Sequence, residues 1–492
     1  MKKVIIIGAG PGGLTSGMIL SSKGYNVHIY EKLDKVGGRN SSLQLGDYKF
    51  DLGPTFLMYL EILENAFKMS GIDVNDYLEI TRLDPLYKLL FPDGSEFIPR
   101  QNVEDTKIEI SKKFPQDVEK YQEYMDREES TFEILTNVLM KPFGKISDFF
   151  TKRFFKLLPK MDVRQSLYDR LSHSFSAPNL KLAMSFQSKY LGMSPRTCPA
   201  VYSLISYLEH VKGIFHVKGG LNEISNAMGK VIQDNGGNIH LNSAVKEIIV
   251  KDKKAIGIEL ESGEKIYGDY VIINADFAYA MSKLIDPSHR HIYSDKKLSK
   301  KDYSCSTYMF YLGLDKQYTN LNHHNIIYNS NYKEYIEKIS CFQDISEEFS
   351  MYIHNPSIYD PTLAPDGHSS LYILIPAPNN NSNINWKNNS TLIEENMFKM
   401  LKDKFGIDDI QDHIIEKRII TPNEWESEYN VYLGAVFNLS HQLTQMLYFR
   451  PHNKFQEVEN IFLVGGGTHP GSGLPTIYQS GIISSQLIME NE

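Results

Sequence analysis

A glycine-rich turn close to the start of the chain constrains the fold most strongly. It follows an apolar run at residues 4–7, which is typical of a strand buried on both faces of a parallel sheet. A helix is predicted to follow over residues 14–22, with its first amides directed at a bound phosphate. Glycine allows the sharp turn, the close approach of a pyrophosphate and the packing of helix on strand. The turn consists of Gly8, Ala9, Gly10, Pro11, Gly12 and Gly13.

An acidic residue and a second glycine pair extend this pattern. Glu31 stands 18 residues after Gly13, at the end of a second predicted strand, where a carboxylate accepts hydrogen bonds from both hydroxyls of an adenosine ribose. The order of strand, turn, helix and acid indicates dinucleotide binding rather than a flexible glycine loop. A glycine pair soon after the acid is typical of flavoproteins and favours FAD over NAD. The contacts predicted here are Glu31, Lys32, Gly38 and Arg39.

Later segments carry the remaining predicted FAD contacts. They are a strand and turn at residues 46–55, a strand ending at 274–276, and a final strand and glycine turn at 461–475. For residues 46–55, a plain turn without a flavin contact is the alternative. A helix over residues 476–489 is predicted to direct its N-terminal amides at the flavin and to stabilise the anion formed on reduction. The predicted contacts are Gly53, Pro54, Thr55, Val245, Asn274, Ala275, Asp276, Gly466, Gly467, Gly473, Leu474 and Pro475.

Composition excludes several functional classes. The 492 residues carry a net charge of −8, which gives no basic footprint for nucleic acid. Cysteines at 198, 305 and 341 are widely separated and indicate neither a disulfide framework nor a zinc site, so we predict no metal and a reducing compartment. No apolar stretch is long enough for a transmembrane helix. These features predict a cytoplasmic protein and leave peripheral membrane association open.

A helical insertion rich in Lys, Glu, Phe, Tyr and Met is predicted at residues 106–214. Within it, residues 145–164 interleave aromatic and leucine side chains with lysine and arginine. A basic amphipathic segment of this kind either lies in a membrane interface or packs on a protein core with a solvated basic face. The pattern alone leaves both interpretations open.

The elements together predict an α/β chain, α+β overall, in three parts. The first is a discontinuous, Rossmann-like, two-dinucleotide-binding FAD domain formed by residues 1–85, 215–285 and 455–492. Alternating and β-branched runs predict an antiparallel substrate-binding sheet from residues 86–105 and 286–454. The helical insertion is the third part.

These residues resemble the bacterial and fungal type phytoene desaturases, with the related carotenoid and diapocarotenoid desaturases and oxidases. The similarity is collinear over nearly the whole chain. It implies FAD-dependent removal of hydrogen from a long isoprenoid, electron transfer to oxygen or a quinone, and a membrane-contacting entrance at residues 145–164. The shared motifs are Gly37-Gly38-Arg39, FDLGPT at 50–55, Lys218-Gly219-Gly220, Asn274-Ala275-Asp276, His323-His324, LAPDG at 363–367, FRPHN at 449–453 and GTHPGSGLP at 467–475.

The resemblance also implies candidates for handling the proton released by desaturation. These are Asp148 and Arg153, although a neighbouring offset of the alignment would place Phe150 at the acidic position. A solvated interfacial aspartate is the alternative interpretation of Asp148. His452 and His469 are candidates for a proton-handling role, against the alternative of structural histidines that bond the carbonyls of turns.

Other functions remain open at this point. One is oxidation, isomerisation or saturation of the same substrate class, and another is non-catalytic binding of FAD or a carotenoid. A flavin amine oxidase is disfavoured because neither Trp386 nor Trp425 lies in a glycine motif where an aromatic cage would flank the flavin. The sequence does not distinguish thirty-carbon from forty-carbon substrates.

Overall fold

The structure, a computed structural model, describes residues 1–340 and 348–491. Its strands fall into two large sheets and three small ones. In chain order the strands are β1 (Lys3–Ile7), β2 (Asn26–Tyr30), β3 (Ser42–Leu45), β4 (Tyr48–Asp51), β5 (Leu57–Met58), β6 (Ile80–Arg82), β7 (Lys88–Leu90), β8 (Glu96–Phe97), β9 (Ile214–Val217), β10 (Asn238–His240), β11 (Val245–Lys251), β12 (Lys254–Leu260), β13 (Lys265–Tyr267), β14 (Tyr270–Ile273), β15 (Ser306–Leu314), β16 (His324–Ile327), β17 (Met351–His354), β18 (Ser369–Ala377), β19 (Ile414–Ile420) and β20 (Ile461–Leu463).

The α-helices are distributed along the described chain. In chain order they are α1 (Pro11–Ser22), α2 (Leu60–Met69), α3 (Val103–Lys113), α4 (Val118–Leu139), α5 (Lys152–Met161), α6 (Leu167–Ser174), α7 (Pro178–Ala183), α8 (Leu204–Tyr207), α9 (Asn222–Asp234), α10 (Phe277–Leu284), α11 (Asp295–Leu298), α12 (Tyr332–Ser340), α13 (Trp386–Phe405), α14 (Pro422–Ser427) and α15 (Leu474–Met489).

Five parallel strands form the first large sheet, in the order β10-β2-β1-β14-β20. β1 pairs with β2 on one side and with β14 on the other, so that Ile5 lies between His28 and Val271. Branched apolar residues make up most of β1 and all of them are buried, as expected for a parallel sheet covered by helices on both faces. This is the predicted Rossmann-like arrangement.

The two ends of the chain meet on this sheet. β20 is its last strand, and α15 packs directly against α1. An added Cβ at Gly481 would lie 2.7 Å from the carbonyl oxygen of Gly12, so the helices approach at backbone distance. α1 begins at Pro11, three residues before its predicted start, because proline is well suited to the first helical position. The predicted second strand ends at Tyr30 and not at Glu31.

The second large sheet has seven strands in the order β19-β15-β18-β17-β16-β7-β8. Its neighbours are antiparallel except for β16 and β7, which run parallel. The strands lie within the segments predicted for the substrate-binding sheet, while the exact domain boundaries stay a prediction. α13 begins at Trp386, where the side chain of Asn385 accepts a hydrogen bond from the backbone of Asn388 and caps the helix.

The predicted helical insertion contains α4 to α8 and most of α3, which begins three residues earlier, at Val103. Its amphipathic segment forms α5, which buries Phe154, Leu157 and Met161 against the core. Phe150 and Phe155 face outwards, with 71% and 56% of their surface exposed. Among the described helices, we find none with the length and apolar character needed to cross a bilayer.

Candidate active site

A cavity of about 430 Å³ lies where the parallel sheet, the seven-stranded sheet and the insertion meet. One side of it, here called the nucleotide wall, is formed by predicted FAD contacts from segments distant in sequence. These residues are Gly8, Gly10, Pro11, Glu31, Lys32, Gly38, Arg39, Gly53, Pro54, Thr55, Val245, Asn274, Ala275, Asp276, Gly466, Gly473, Leu474 and Pro475. Three other predicted contacts, Gly12, Gly13 and Gly467, are absent from the cavity lining.

The glycines of the first turn are packed too closely to carry side chains. An added Cβ at Gly13 would lie 2.5 Å from the carbonyl oxygen of Gly8, and one at Gly10 would lie 2.9 Å from Nδ2 of Asn274. Nδ2 of Asn274 donates a hydrogen bond to that same Gly8 carbonyl, at 2.9 Å. Gly12 and Gly13 therefore shape the turn from behind, while Gly8 and Gly10 leave the cavity side open for a pyrophosphate.

Two helix N-termini meet at the cavity. Gly10 is the N-cap of α1 and Gly473 is the N-cap of α15, and neither helix has a side-chain hydrogen bond at its cap. Both cap residues line the cavity. Free amides and a positive dipole end at each position favour negative charge, which a pyrophosphate supplies at one end and a reduced flavin ring at the other.

Glu31 is fixed in place at the cavity. Its Oε2 accepts a hydrogen bond from the backbone N–H of Ala9 at 2.7 Å, and its Oε1 accepts one from Leu33 at 3.0 Å. The side chain is buried, so the carboxylate is held rigidly against the glycine turn. This geometry fits the predicted recognition of ribose hydroxyls, since each oxygen retains lone pairs for a further hydrogen bond.

Arg39 and Asp276 form an opposite-charge pair on the nucleotide wall. Burial lowers the pKa of Arg39, and the carboxylate of Asp276 opposes that shift. Burial likewise raises the pKa of Asp276, against the influence of Arg39. Arg39 also donates to the carbonyl of Val436 at 2.6 Å. The pair thus places both signs of charge beside a polar ligand, and the nucleotide wall as a whole fits FAD.

The opposite side of the cavity, here called the apolar wall, is built from the seven-stranded sheet, α12 and the insertion. Aliphatic and thioether side chains alternate there with aromatic rings. Its members include Phe56, Phe186, Tyr190, Met309, Ile326, Ile336, Ile339, Met351, Tyr352, Tyr372 and Leu374. The sequence predicts that this sheet faces the substrate, but none of these residues is among the predicted site residues.

Lys189 is an amine on the apolar wall. Its Nζ lies 5.2 Å from the ring centre of Tyr328 and 4.9 Å from that of Tyr332. Burial lowers the pKa of Lys189 to about 7, against a small opposing influence of Cys305. The amine therefore exchanges a proton near neutral pH. The local sequence does not reveal this property, because Cys305, Tyr328 and Tyr332 lie more than a hundred positions away along the chain.

A short polar chain leads from the cavity into the seven-stranded sheet. Oγ1 of Thr55 is 2.8 Å from the hydroxyl of Tyr352, which in turn lies 2.7 Å from Nδ1 of His324. The ring of Phe56 stacks on His324, with centroids 4.2 Å apart. Side chains that line the cavity are thus supported from behind by a buried histidine.

The predicted proton-handling residues have structural contacts away from the cavity lining. Oδ2 of Asp148 accepts hydrogen bonds from the backbones of Gly144 and Lys145, and Arg153 donates to the carbonyl of Asn137. Arg153 is exposed. Neither residue lines the cavity, and their catalytic role stays a prediction.

The two histidines of the C-terminal motifs bond backbone carbonyls. A ring nitrogen of His469 lies 2.9 Å from the carbonyl of Lys141, and one of His452 lies 2.8 Å from the carbonyl of Tyr448. Burial lowers the pKa of His469 to about 4. These contacts fit the structural interpretation of both residues.

Comparison with known proteins identifies the family. Residues 11–489 match the family described as "Flavin containing amine oxidoreductase". The chain belongs to this family. A 4,4'-diapophytoene desaturase (4,4'-diapolycopene-forming) from Methylomonas sp is 43% identical over 99% of this chain and 95% of its own length. A phytoene desaturase (neurosporene-forming) from Rhodobacter capsulatus is 33% identical over 99% of this chain and 94% of its own.

These relatives place the chain among the carotenoid desaturases of the family and confirm the predicted resemblance and flavin cofactor, FAD. The fold also matches a solved oxidoreductase from Methanosarcina mazei, with a TM-score of 0.65, 18% identity and coverage of 99% of this chain and 100% of the other. That match confirms the predicted fold class. The protein is an FAD-dependent oxidoreductase. The assignment of individual residues of the nucleotide wall to FAD contacts stays a prediction.

Proposed function

We propose that this protein desaturates a long linear isoprenoid of the 4,4'-diapophytoene class. The observation that carries the proposal is a single cavity in which dinucleotide-binding glycines face an apolar wall. The greater identity to the diapophytoene enzyme, 43% against 33% for the phytoene enzyme, favours the thirty-carbon class over the forty-carbon class.

FAD supplies the hydride acceptor when bound against the nucleotide wall. The residues of the chain hold it there, with the glycine turn and the α1 N-terminus at the pyrophosphate and Glu31 at the ribose. The N-terminus of α15 favours the negative charge that develops at the ring edge. The apolar wall aligns the isoprenoid and excludes water, and such orientation supplies a large share of the barrier reduction.

Lys189 is our candidate for the proton acceptor. Desaturation removes a hydride from one carbon and a proton from its neighbour, and the electron pair of the second C–H bond becomes the new π bond. The amine lies on the apolar wall, and its pKa of about 7 leaves a large neutral fraction to take that proton. This assignment is an alternative to the predicted role of Asp148 and Arg153, neither of which lines the cavity.

The decisive experiment uses the purified holoenzyme under anaerobic conditions. Detergent-dispersed 4,4'-diapophytoene should bleach the flavin absorption and produce longer-wavelength bands of a conjugated polyene, with phytoene slower. Flavin absorption that is preserved with both substrates contradicts desaturation. It would favour the alternative of a protein that binds FAD or a carotenoid without catalysing a reaction. Bleaching without new polyene bands points instead to oxidation or another reaction on the same substrate class.

We also propose that α5 and its neighbourhood contact a lipid bilayer, from which the substrate is taken. Apolar side chains with 42% to 71% of their surface exposed cluster in this segment beside lysines and arginines. Such a surface inserts its aromatics at the acyl boundary and places its cations at anionic head groups. The exposed apolar residues are Ile146, Phe150, Phe155, Leu158 and Val163.

Vesicle sedimentation tests this contact. A Phe150→Ser/Phe155→Ser double variant should lose at least about tenfold in binding to vesicles containing anionic lipid, since each buried phenylalanine contributes roughly 1.5–3 kcal/mol. Ile415→Ser is the matched control, because Ile415 is 57% exposed on β19. Equal binding of the double variant and the wild type would contradict the proposal.

The electron acceptor is proposed to be oxygen or a quinone. The test measures by stopped flow how fast the substrate-reduced enzyme is reoxidised, once with air-saturated buffer and once with a soluble quinone. An acceptor that leaves the flavin reduced on the timescale of turnover is eliminated.

A further inference from the structure

Three buried histidines converge behind the apolar wall. His324 and His354 are direct cross-strand partners on β16 and β17, and His323 immediately precedes β16. The ring of His323 lies 4.3 Å from that of His324 and 4.8 Å from that of His354, measured between centroids. At most 2% of the surface of each residue is exposed. The topology of two adjacent strands therefore brings together three imidazoles that local sequence spacing does not group.

Four of the six nitrogens of these rings lack hydrogen-bond partners among the described residues. Both ring nitrogens of His323 are buried without a partner, as are Nε2 of His324 and Nε2 of His354. An unsatisfied buried polar atom costs about 1–3 kcal/mol, so four of them in one cluster are a substantial penalty. One nitrogen from each ring lies within 4.8 Å of the other two.

This arrangement has the chemistry of a transition-metal site. Three imidazoles bind zinc at about 2.0–2.1 Å, which places tetrahedral ligand atoms roughly 3.3 Å apart, so shifts of about 1 Å in the rings complete the geometry. Burial lowers the pKa of His323, His324 and His354 well below the usual value, and neutral imidazole is the form that binds metal.

The surroundings of the cluster also match a metal site. Nδ1 of His324 faces the hydroxyl of Tyr352 at 2.7 Å, and a hydrogen bond donated there leaves Nε2 free with its lone pair. Near His323, His216 bonds the buried carboxylate of Asp360 at 2.9 Å, with the rings of His216 and His323 5.1 Å apart. This carboxylate contributes negative charge close to a bound cation.

We propose that His323, His324 and His354 bind one divalent transition-metal ion of the zinc class. The ion satisfies one open nitrogen on each of the three rings and joins β16 to β17. Through His324 it positions Phe56 and Tyr352, which line the cavity. The proposal does not depend on the desaturase assignment, because metal binding is measured without turnover.

A proton relay through neutral histidines is the rival explanation. The hydrogen-bonded chain from Thr55 through Tyr352 does reach His324. It has no continuation within the described residues, because Nε2 of His324 and both nitrogens of His323 are without partners. A metal ion explains three of the four open atoms together, one on each ring.

Zinc and cobalt titrations of the flavin-loaded, full-length protein test the proposal. After chelator treatment and dialysis, the wild type should take up one Zn²⁺ per chain, and Co²⁺ should give the visible bands of a tetrahedral nitrogen-ligated ion. Uptake well below one ion per chain for both metals overturns the proposal.

Substitutions locate the ion. His354→Gln and His323→Gln should abolish stoichiometric uptake, while His291→Gln, at an exposed histidine, should leave it unchanged. Tyr352→Phe should weaken zinc binding about 10–100-fold, the usual effect of losing a partner of a metal-bound imidazole. Uptake that persists in both cluster variants overturns the assignment.

X-ray absorption of the zinc-loaded wild type supplies a test that no folding defect can obscure. We expect nitrogen and oxygen neighbours with the scattering pattern of three imidazoles. A first shell containing sulfur, or one without imidazole scattering, contradicts the site.

Discussion

The two walls of the cavity are built in different ways. The nucleotide wall is mostly backbone, formed by glycines, two helix N-termini and a carboxylate that backbone amides hold in place. The apolar wall consists of side chains from the seven-stranded sheet, α12 and the insertion. The first wall can therefore accept one shape of ligand only, while the second can change its specificity by substitution without altering the fold.

The walls also differ in how their charges are handled. On the nucleotide wall, Arg39 and Asp276 influence one another, and Glu31 is held by two amides. On the apolar wall, Lys189 faces the rings of Tyr328 and Tyr332 instead of a carboxylate. A neighbouring opposite charge favours the ionised form of each partner, whereas burial of an amine without such a partner favours loss of its proton. The first arrangement suits binding and the second suits proton transfer.

Replacing the amine should separate turnover from cofactor binding. Lys189→Met is expected to lower the desaturation rate about 100-fold or more, the usual effect of losing a general base, while the flavin content stays at the wild-type level. The wild-type rate should rise with pH through about 7, as Lys189 loses its proton, and the variant should lose this rise. Single-turnover flavin reduction across pH measures both.

Lys333→Met is the matched control for this experiment, because Lys333 is exposed on α12. A Lys189→Met enzyme with wild-type rate and an unchanged pH profile would remove Lys189 from the mechanism and reopen the question of Asp148 and Arg153.

A methyl group in the glycine turn should have the converse effect. Gly13→Ala places a Cβ 2.5 Å from the Gly8 carbonyl oxygen, and the strain of about 2–3 kcal/mol should weaken FAD binding by up to about 100-fold. Gly229→Ala in α9 is the control, since its Cβ would meet nothing closer than 3.4 Å. Fluorescence titration of the apoprotein with FAD measures the affinities, and equal affinity in the two variants would contradict the tight packing of the turn.

A smaller effect is expected at the ribose. Glu31→Gln removes the negative charge to which the ribose hydroxyls are predicted to donate, and loss of one charged hydrogen bond costs about 1.5 kcal/mol, or roughly tenfold in FAD affinity. Titration with FAD and with FMN checks the location: FMN has no adenosine ribose, so its affinity should be unchanged. A parallel loss for FMN would show that the substitution acts through the turn instead.

Residues of the nucleotide wall could be predicted from the sequence, whereas those of the apolar wall could not, because the two walls are built differently. Gly8 to Gly13, Glu31 and Gly473 lie in short motifs whose spacing follows from backbone geometry, and 18 of the 21 predicted contacts line the cavity. Lys189 and Tyr352 carry no such signal, because burial and partners come from elements far away in the chain. His354 is separated by 30 residues from His324 and becomes its neighbour only through the pairing of β16 with β17. Cysteine spacing could not reveal a cluster of this kind.

The unusual state of Lys189 should also be visible in the stability of the folded protein. Its pKa is about 7 in the folded protein and about 10.5 when unfolded, so between these values the unfolded chain binds more protons. Stability contributed by this group therefore rises with pH in that window, by at most about 1.4 kcal/mol per pH unit. Below pH 7 the buried charge is a constant cost, which the rings of Tyr328 and Tyr332 reduce but do not remove.

Lys189→Met lacks this cost at every pH. Its melting temperature should exceed that of the wild type at pH 7, and the difference should shrink as the pH is raised to 9, because the wild type then folds with a neutral amine. Thermal unfolding followed by flavin fluorescence, with Lys333→Met as the reference, gives the two differences. A difference in melting temperature that is constant with pH would mean that Lys189 stays protonated through this range, held by charge on the apolar wall. The distinction between a nucleotide wall that binds and an apolar wall that exchanges protons would then be wrong.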